Sequence, residues 1–119
     1  MKKYKVIYRV GVEAYFDKLG DYVGEMTSSY FALQYLQRLR EEVERLSYLA
    51  PMLPSSKYEL PKLYHPEAKT HVIGNKKMTV IFHIDGDYVI VDKILPSALI
   101  TYWFCVVINL TYSYSSTNS

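Results

Sequence analysis

Cysteine is almost absent from these 119 residues: Cys105 stands alone. One cysteine excludes an intrachain disulfide and any cysteine-rich zinc site. It lies in an apolar run with no basic neighbour in sequence, the setting of a small buried hydrophobe and not of an activated thiolate. Glycine and proline number five each, too few for a low-complexity or collagen-like chain. No apolar run reaches the about 20 residues of a typical membrane-spanning helix. Met1-Lys2-Lys3 starts like a signal peptide, but the next residues alternate polar and apolar with no greasy core, so a cytoplasmic location is expected. Asn109-Leu110-Thr111 fits the glycosylation pattern and, with no export signal, reads as a chance match. The three histidines are irregularly spaced, so no metal site is assigned and no cofactor is expected. A net charge of +2 supplies no strong field for polyanions, and a nucleic-acid role has to rest on local basic clusters.

What is present suits one globular domain. A chain of this length buries roughly two thirds of its unfolded surface without a staple. Thirteen tyrosines suit strands and surfaces that are apolar on one side and hydrogen-bonded on the other. The organising stretch is KMTVIFHIDGDYVIVDKIL, residues 77–95. Two β-rich runs flank Asp85-Gly86-Asp87, where Gly86 can take the positive φ of a tight hairpin. Met78, Val80, Phe82 and Ile84 share one face of the first run, and Lys77, Thr79, Ile81 and His83 the other. On the second run Tyr88, Ile90, Asp92 and Ile94 alternate with Val89, Val91, Lys93 and Leu95. Both faces are fairly apolar, as in the middle of a sheet.

Upstream, Tyr4, Val6, Tyr8 and Val10 alternate with Lys3, Lys5, Ile7 and Arg9, which predicts a half-buried strand ended by Gly11. Val12, Tyr15, Phe16, Leu19, Val23 and Met26 then form a helical stripe. Gly20 and Gly24, each about 1 kcal/mol worse than alanine in a helix, predict an early end or a bend. Thr27-Ser28-Ser29 offers N-caps for a second helix, whose buried stripe is Ala32, Leu36, Leu39, Val43 and Leu46. Arg38–Glu42 and Glu41–Arg45 are opposite charges four apart on its solvated face. Pro51 and Pro54 end it. A loop follows, in which Leu60-Pro61-Lys62-Leu63 docks on the core, and Lys69–Ile73 leads through Gly74-Asn75 into the hairpin. The fold class is therefore α+β: an N-terminal strand, a two-helix hairpin, then a three-stranded antiparallel meander, forming one sheet covered on one face by the helices. After Lys93 there is no charged residue. Residues 99–110, with Tyr102, Trp103 and Phe104, are largely apolar and favour self-association or partner binding, and TYSYSSTNS is expected to be disordered.

YKVIYRVGVEAYFDKLGDYV, ALQYLQRLREEVERLSYLAPMLP and KKMTVIFHIDGDYVIVDKIL together resemble the RelE/ParE superfamily, the toxins of type II toxin–antitoxin modules. Its members carry a helix of the form RLxxxIxxLxxxP and a later xxDGDxVxVxxIL hairpin. The likeness runs from about residue 4 to about residue 100 and implies a toxin domain over residues 1–100 with an uncharged tail over 101–119. It implies a cognate antitoxin as partner, and as target either mRNA in the ribosomal A site, cleaved without a metal, or DNA gyrase. The cleaving branch uses an arginine on the third strand and an arginine or histidine after the fourth. Here those positions fall near Thr79 and on Pro96-Ser97-Ala98, so the resemblance leans to a ParE-like, non-catalytic toxin. The endoribonuclease, and a degenerate member that keeps only antitoxin or operator binding, stay open beside it.

Should the chain be catalytic, His71 and His83 are an acid/base candidate pair on the exposed face of adjacent strands, weighed against two plain surface histidines. Lys93 matches the basic residue before IL in the family, and Tyr102 stands where some members place a late tyrosine. Lys69, Lys76 and Lys77, with Lys57 and Lys62, either form a phosphate-binding rim or are a scattered solvated surface. His65 reads as a loop residue.

Overall fold

Gly86, at φ 60°, closes the central hairpin. It is flanked by β3 (Met78–Asp85) and β4 (Tyr88–Pro96), which pair antiparallel from Asp85–Tyr88 onward. The computed structural model describes residues 3–101. The expectations for Tyr102, Cys105 and the tail lie outside them. Before the hairpin come β1 (Lys5–Tyr8), α1 (Val10–Met26), α2 (Ser29–Glu44), the short α3 (Leu46–Leu49), α4 (Glu59–Lys62) and β2 (Lys69–Ile73), and after it α5 (Ser97–Thr101). The four strands form one sheet in the order β1-β4-β3-β2. β1 runs parallel to β4, with Val6 beside Val89 and Tyr8 beside Val91.

The helices cover one face, as the periodicity predicts. Val12 and Phe16 of α1 and Leu39 and Val43 of α2 meet Ile73, Val80, Phe82, Val89, Val91 and Ile94 in one buried cluster. Removing that apolar area from water is the main stabilising term. Ser28 caps α2 by accepting the Phe31 amide at 3.1 Å, which satisfies one of the orphan donors of the first turn.

Two local expectations are corrected. Val10 opens α1 and is exposed instead of continuing the strand. The glycines do not end α1 early, since it runs to Met26. A Cβ on Gly20 would sit 2.7 Å from Leu36 Cδ1, so this glycine lets the helices approach closely. On the outer helix surface, Arg40 pairs with Glu13 of α1 at 2.8 Å, and Glu42 accepts the Gly74 amide at 2.9 Å.

The opposite face is not bare. Leu60 and Ala68, from the segment between α3 and β2, pack with Ile81 and Ile100 in a second buried cluster, joined by Leu95 and Leu99. The Ser56 amide donates to the Ala68 carbonyl at 2.8 Å and ties the ends of that segment together. Of the four residues expected to dock, Leu60 and Pro61 do so, on the face away from the helices, whereas Lys62 and Leu63 are exposed.

Candidate functional site

The alternation predicted for β4 breaks at one residue. Ile81 pairs with Lys93 and Phe82 with Val91, so Asp92 is an extra residue in the ladder. This β-bulge shifts the phase of the strand. Val89, Val91 and Ile94 thereby share the helix-covered face, while Asp92 turns to the other.

On that other face Asp92 meets His83. His83 Nδ1 lies 2.7 Å from Asp92 Oδ2, and the Arg9 Nε–H donates to Asp92 Oδ1 at 2.6 Å. The aspartate side chain is 1% exposed and the histidine 7%, whereas Arg9 is 57% exposed. A carboxylate only accepts hydrogen bonds, so His83 Nδ1 carries the proton in this contact, and in the neutral ring Nε2 is then the nitrogen with the lone pair. His65 stacks on this ring, the centroids 4.0 Å apart and the planes 3° from parallel. His65 Nδ1 accepts the Glu67 amide at 3.0 Å, which puts that ring's own N–H on Nε2. The cluster therefore joins one nitrogen that can take a proton, one that can give it, and the outer nitrogens of a guanidinium. That is a chemical set for phosphodiester transfer without a metal. It also serves structure, because it satisfies a carboxylate that the bulge has buried.

The residues named from sequence scatter around this cluster. His71 and His83 do not share a face. His71 pairs in register with Val80, a member of the helix-side core, so His71 lies on the helix-covered face and His83 opposite it. They are not an acid/base pair. Nor are they two surface histidines, since His83 is buried and His71 half-buried. Burial pushes His71 below the ordinary imidazole range, with Glu42 opposing and Arg45 adding to the shift. Lys93 is half-buried beside Ile81. Lys69 is half-buried and its Nζ donates to the Ala50 carbonyl at 3.1 Å, which anchors the turn after α3. Lys76 and Lys77 are exposed in the β2–β3 turn, where Gly74, Asn75 and Lys76 all have positive φ. Thr79 is buried, its Oγ1 2.8 Å from Ser97 Oγ.

Reading the residues in order misses Arg9, His65 and Asp92. A signal for one of them was in the sequence: Asp92 interrupts the apolar run VIVDKIL, and a buried charge needs a partner. Among the described residues, no three His, Cys, Asp or Glu side chains converge as metal ligands, and no helix is long and apolar enough to cross a membrane.

No family model and no curated protein matches the chain in sequence. In fold it is similar to a chain of the chromosomal ParDE TA system from P. aeruginosa, with a TM-score of 0.66. The match covers 79% of this chain and 96% of that one at 17% identity. At that identity the likeness is one of architecture: a helical hairpin laid across one face of a small, mostly antiparallel sheet.

Proposed function

We propose that this chain is the growth-inhibiting component of a type II toxin–antitoxin module, a RelE/ParE-like toxin held inactive in the cytoplasm by a cognate antitoxin. The observation that carries this reading is the architecture shared with a chain of a ParDE TA system over most of both chains. Within it the chain acts by binding a protein target, in the manner of a gyrase poison. Three features support that choice. Thr79 is buried and bonded to Ser97 where the cleaving branch of the superfamily has an arginine. Pro96 ends β4 and Ser97-Ala98 follow it, in place of basic residues. The His83 side chain is almost fully covered.

A second reading, a ribosome-dependent mRNA endoribonuclease, is favoured by the Asp92–His83–His65 arrangement. In it His83 Nε2 takes the 2′-OH proton as that oxygen attacks phosphorus. His65 Nε2–H protonates the departing 5′ oxygen, Arg9 steadies the phosphorane charge, and a 2′,3′-cyclic phosphate and a 5′-hydroxyl result. Induction in bacteria, with mapping of RNA 5′ ends and of gyrase-linked DNA breaks, separates the two. The binding reading expects breaks with uncut mRNA. Site-specific cuts that disappear in a folded His83→Ala protein would replace it with the second reading. Absence of any growth defect would leave a chain that keeps only antitoxin or operator binding.

A further inference from the structure

The Asp92–His83 pair lies under a cover. His65 rests flat against the His83 ring, with 4.0 Å between the centroids, and the His83 side chain is 7% exposed. The covering ring belongs to residues 57–67, between α3 and β2, and that segment is held together differently from the sheet beneath it.

The segment is closed at its base. The Ser56 amide donates to the Ala68 carbonyl at 2.8 Å, and the neighbouring Ser55 and Lys69 form an antiparallel bridge. A short surface loop that leaves and returns at one point is an Ω-loop, a form often used for function. Its hydrogen bonds turn inward. The Leu63 amide donates to the Leu60 carbonyl at 3.1 Å, the Tyr64 amide to the Pro61 carbonyl at 3.0 Å and the Ala68 amide to the His65 carbonyl at 3.0 Å. Among the described residues, every hydrogen bond made by residues 57–67 ends between residues 56 and 68. No ladder bond therefore ties the loop to β3 or β4.

Two contacts of another kind hold it down. Leu60 and Pro61 are buried, Leu60 against Ile81 and Ile100, and His65 stacks on His83. Apart from half-buried His65, the rest of residues 57–67 is exposed. Apolar packing and ring stacking break together when the loop lifts, whereas its internal bonds and its neck stay intact. A segment with few buried contacts and self-contained bonds opens at the low end of a fold's free-energy range.

We propose that residues 57–67 are a lid hinged at Ser56 and Ala68, with Leu60 as its anchor and His65 as its latch, and that the structure holds it closed. Lifting the lid uncovers the His83 ring beside Asp92 and the outer nitrogens of Arg9, which together accept one phosphate group. Closing it again returns His65 to the bound phosphate, as lids do when they complete a site around a substrate. That the phosphate is part of an mRNA rests on the endoribonuclease reading above, whereas the opening rests on the bonding of the loop alone.

The test uses the full chain and diethyl pyrocarbonate, which modifies accessible imidazole nitrogens, with modification of His83 followed by mass spectrometry. In urea below the unfolding transition, His83 modification of the wild type is expected to rise with a shallower urea dependence than amide exchange at Val80 and Phe82, the mark of a local opening. Leu60→Ala, which leaves both imidazoles in place, should raise the rate of His83 modification at least fivefold. Val43→Ala, in the helix-side core, is the control: it lowers the urea midpoint and leaves the His83 rate within twofold of wild type. Circular dichroism confirms that each variant is folded. A rate within twofold of wild type in folded Leu60→Ala, an equal rise in Val43→Ala, or one urea dependence shared by His83 modification and core exchange would overturn the lid. The urea comparison needs no variant, so it decides the matter even where Leu60→Ala does not fold. RNA cleavage is scored separately. A cleavage rate that changes with the His83 rate in Leu60→Ala ties the lid to RNA. Uncut RNA in every variant, with His83 modification still responding to Leu60→Ala, removes the endoribonuclease reading and leaves the lid standing.

Discussion

Towards α1 and α2, strands β3 and β4 present Val80, Phe82, Val89 and Val91, all apolar and fully buried. Away from the helices the same two strands present Thr79, His83, Asp92 and Lys93. The first face is held by area removed from water, a non-directional term that tolerates many shapes. The second has a smaller apolar cluster around Ile81 and adds directional contacts: a carboxylate between an imidazole and a guanidinium, a hydroxyl pair, and a stack of two rings. Loss of one partner on the second face leaves a buried polar group unsatisfied, whereas loss of a side chain on the first leaves a cavity. The difference teaches that the helix side is held by buried area alone, whereas the other side also depends on fixed polar partners.

Substitutions can break or sharpen that contrast. Phe82→Ala, in the middle of the helix-side core, is expected to cost about 3–5 kcal/mol in urea denaturation. Asp92→Ala strands the His83 N–H and releases Arg9, and should cost about 2–3 kcal/mol. Arg9→Ala, at a more exposed site, should cost about 1 kcal/mol or less. If Asp92→Ala proved no worse than Arg9→Ala, the buried pair would not be holding the bulge. Gly86→Ala meets no atom within 4 Å, yet its φ of 60° makes a side chain cost about 1–2 kcal/mol. The smallest effect concerns His71 on the helix side, whose folded form is harder to protonate than its unfolded form, ordinary value 6.5. Its contribution to stability is complete above that value and is lost as pH falls below it towards the lower folded value. Measured as urea midpoints at pH 7.5 and 5.5, the wild type should lose more than His71→Gln on acidification. An identical loss in both would show that His71 is not desolvated by the fold.

The first face was legible in the sequence and the second was not. Helical spacing of Val12, Phe16, Leu39 and Val43, and alternation from Met78 to Phe82, each point to a core side through local order alone. Asp85-Gly86-Asp87 marks the hairpin because so few residues accept that turn. The bulge leaves no trace, since Ile94 and Leu95 are equally apolar and either phase of VIVDKIL suits a strand. The pairing of Arg9 with Asp92 and the stack of His65 on His83 join residues far apart in the chain, where no local period operates. Gly20 looks like a weak point in a helix because its reason, the approach of Leu36, lies on another element.

The claim that this chain is a toxin meets its most direct test in growth after controlled induction, with and without co-expression of the adjacent gene's product. Arrest by the chain alone, relieved when the two are made together, is the expected result. Unimpaired growth in cells that accumulate soluble, folded protein would contradict it.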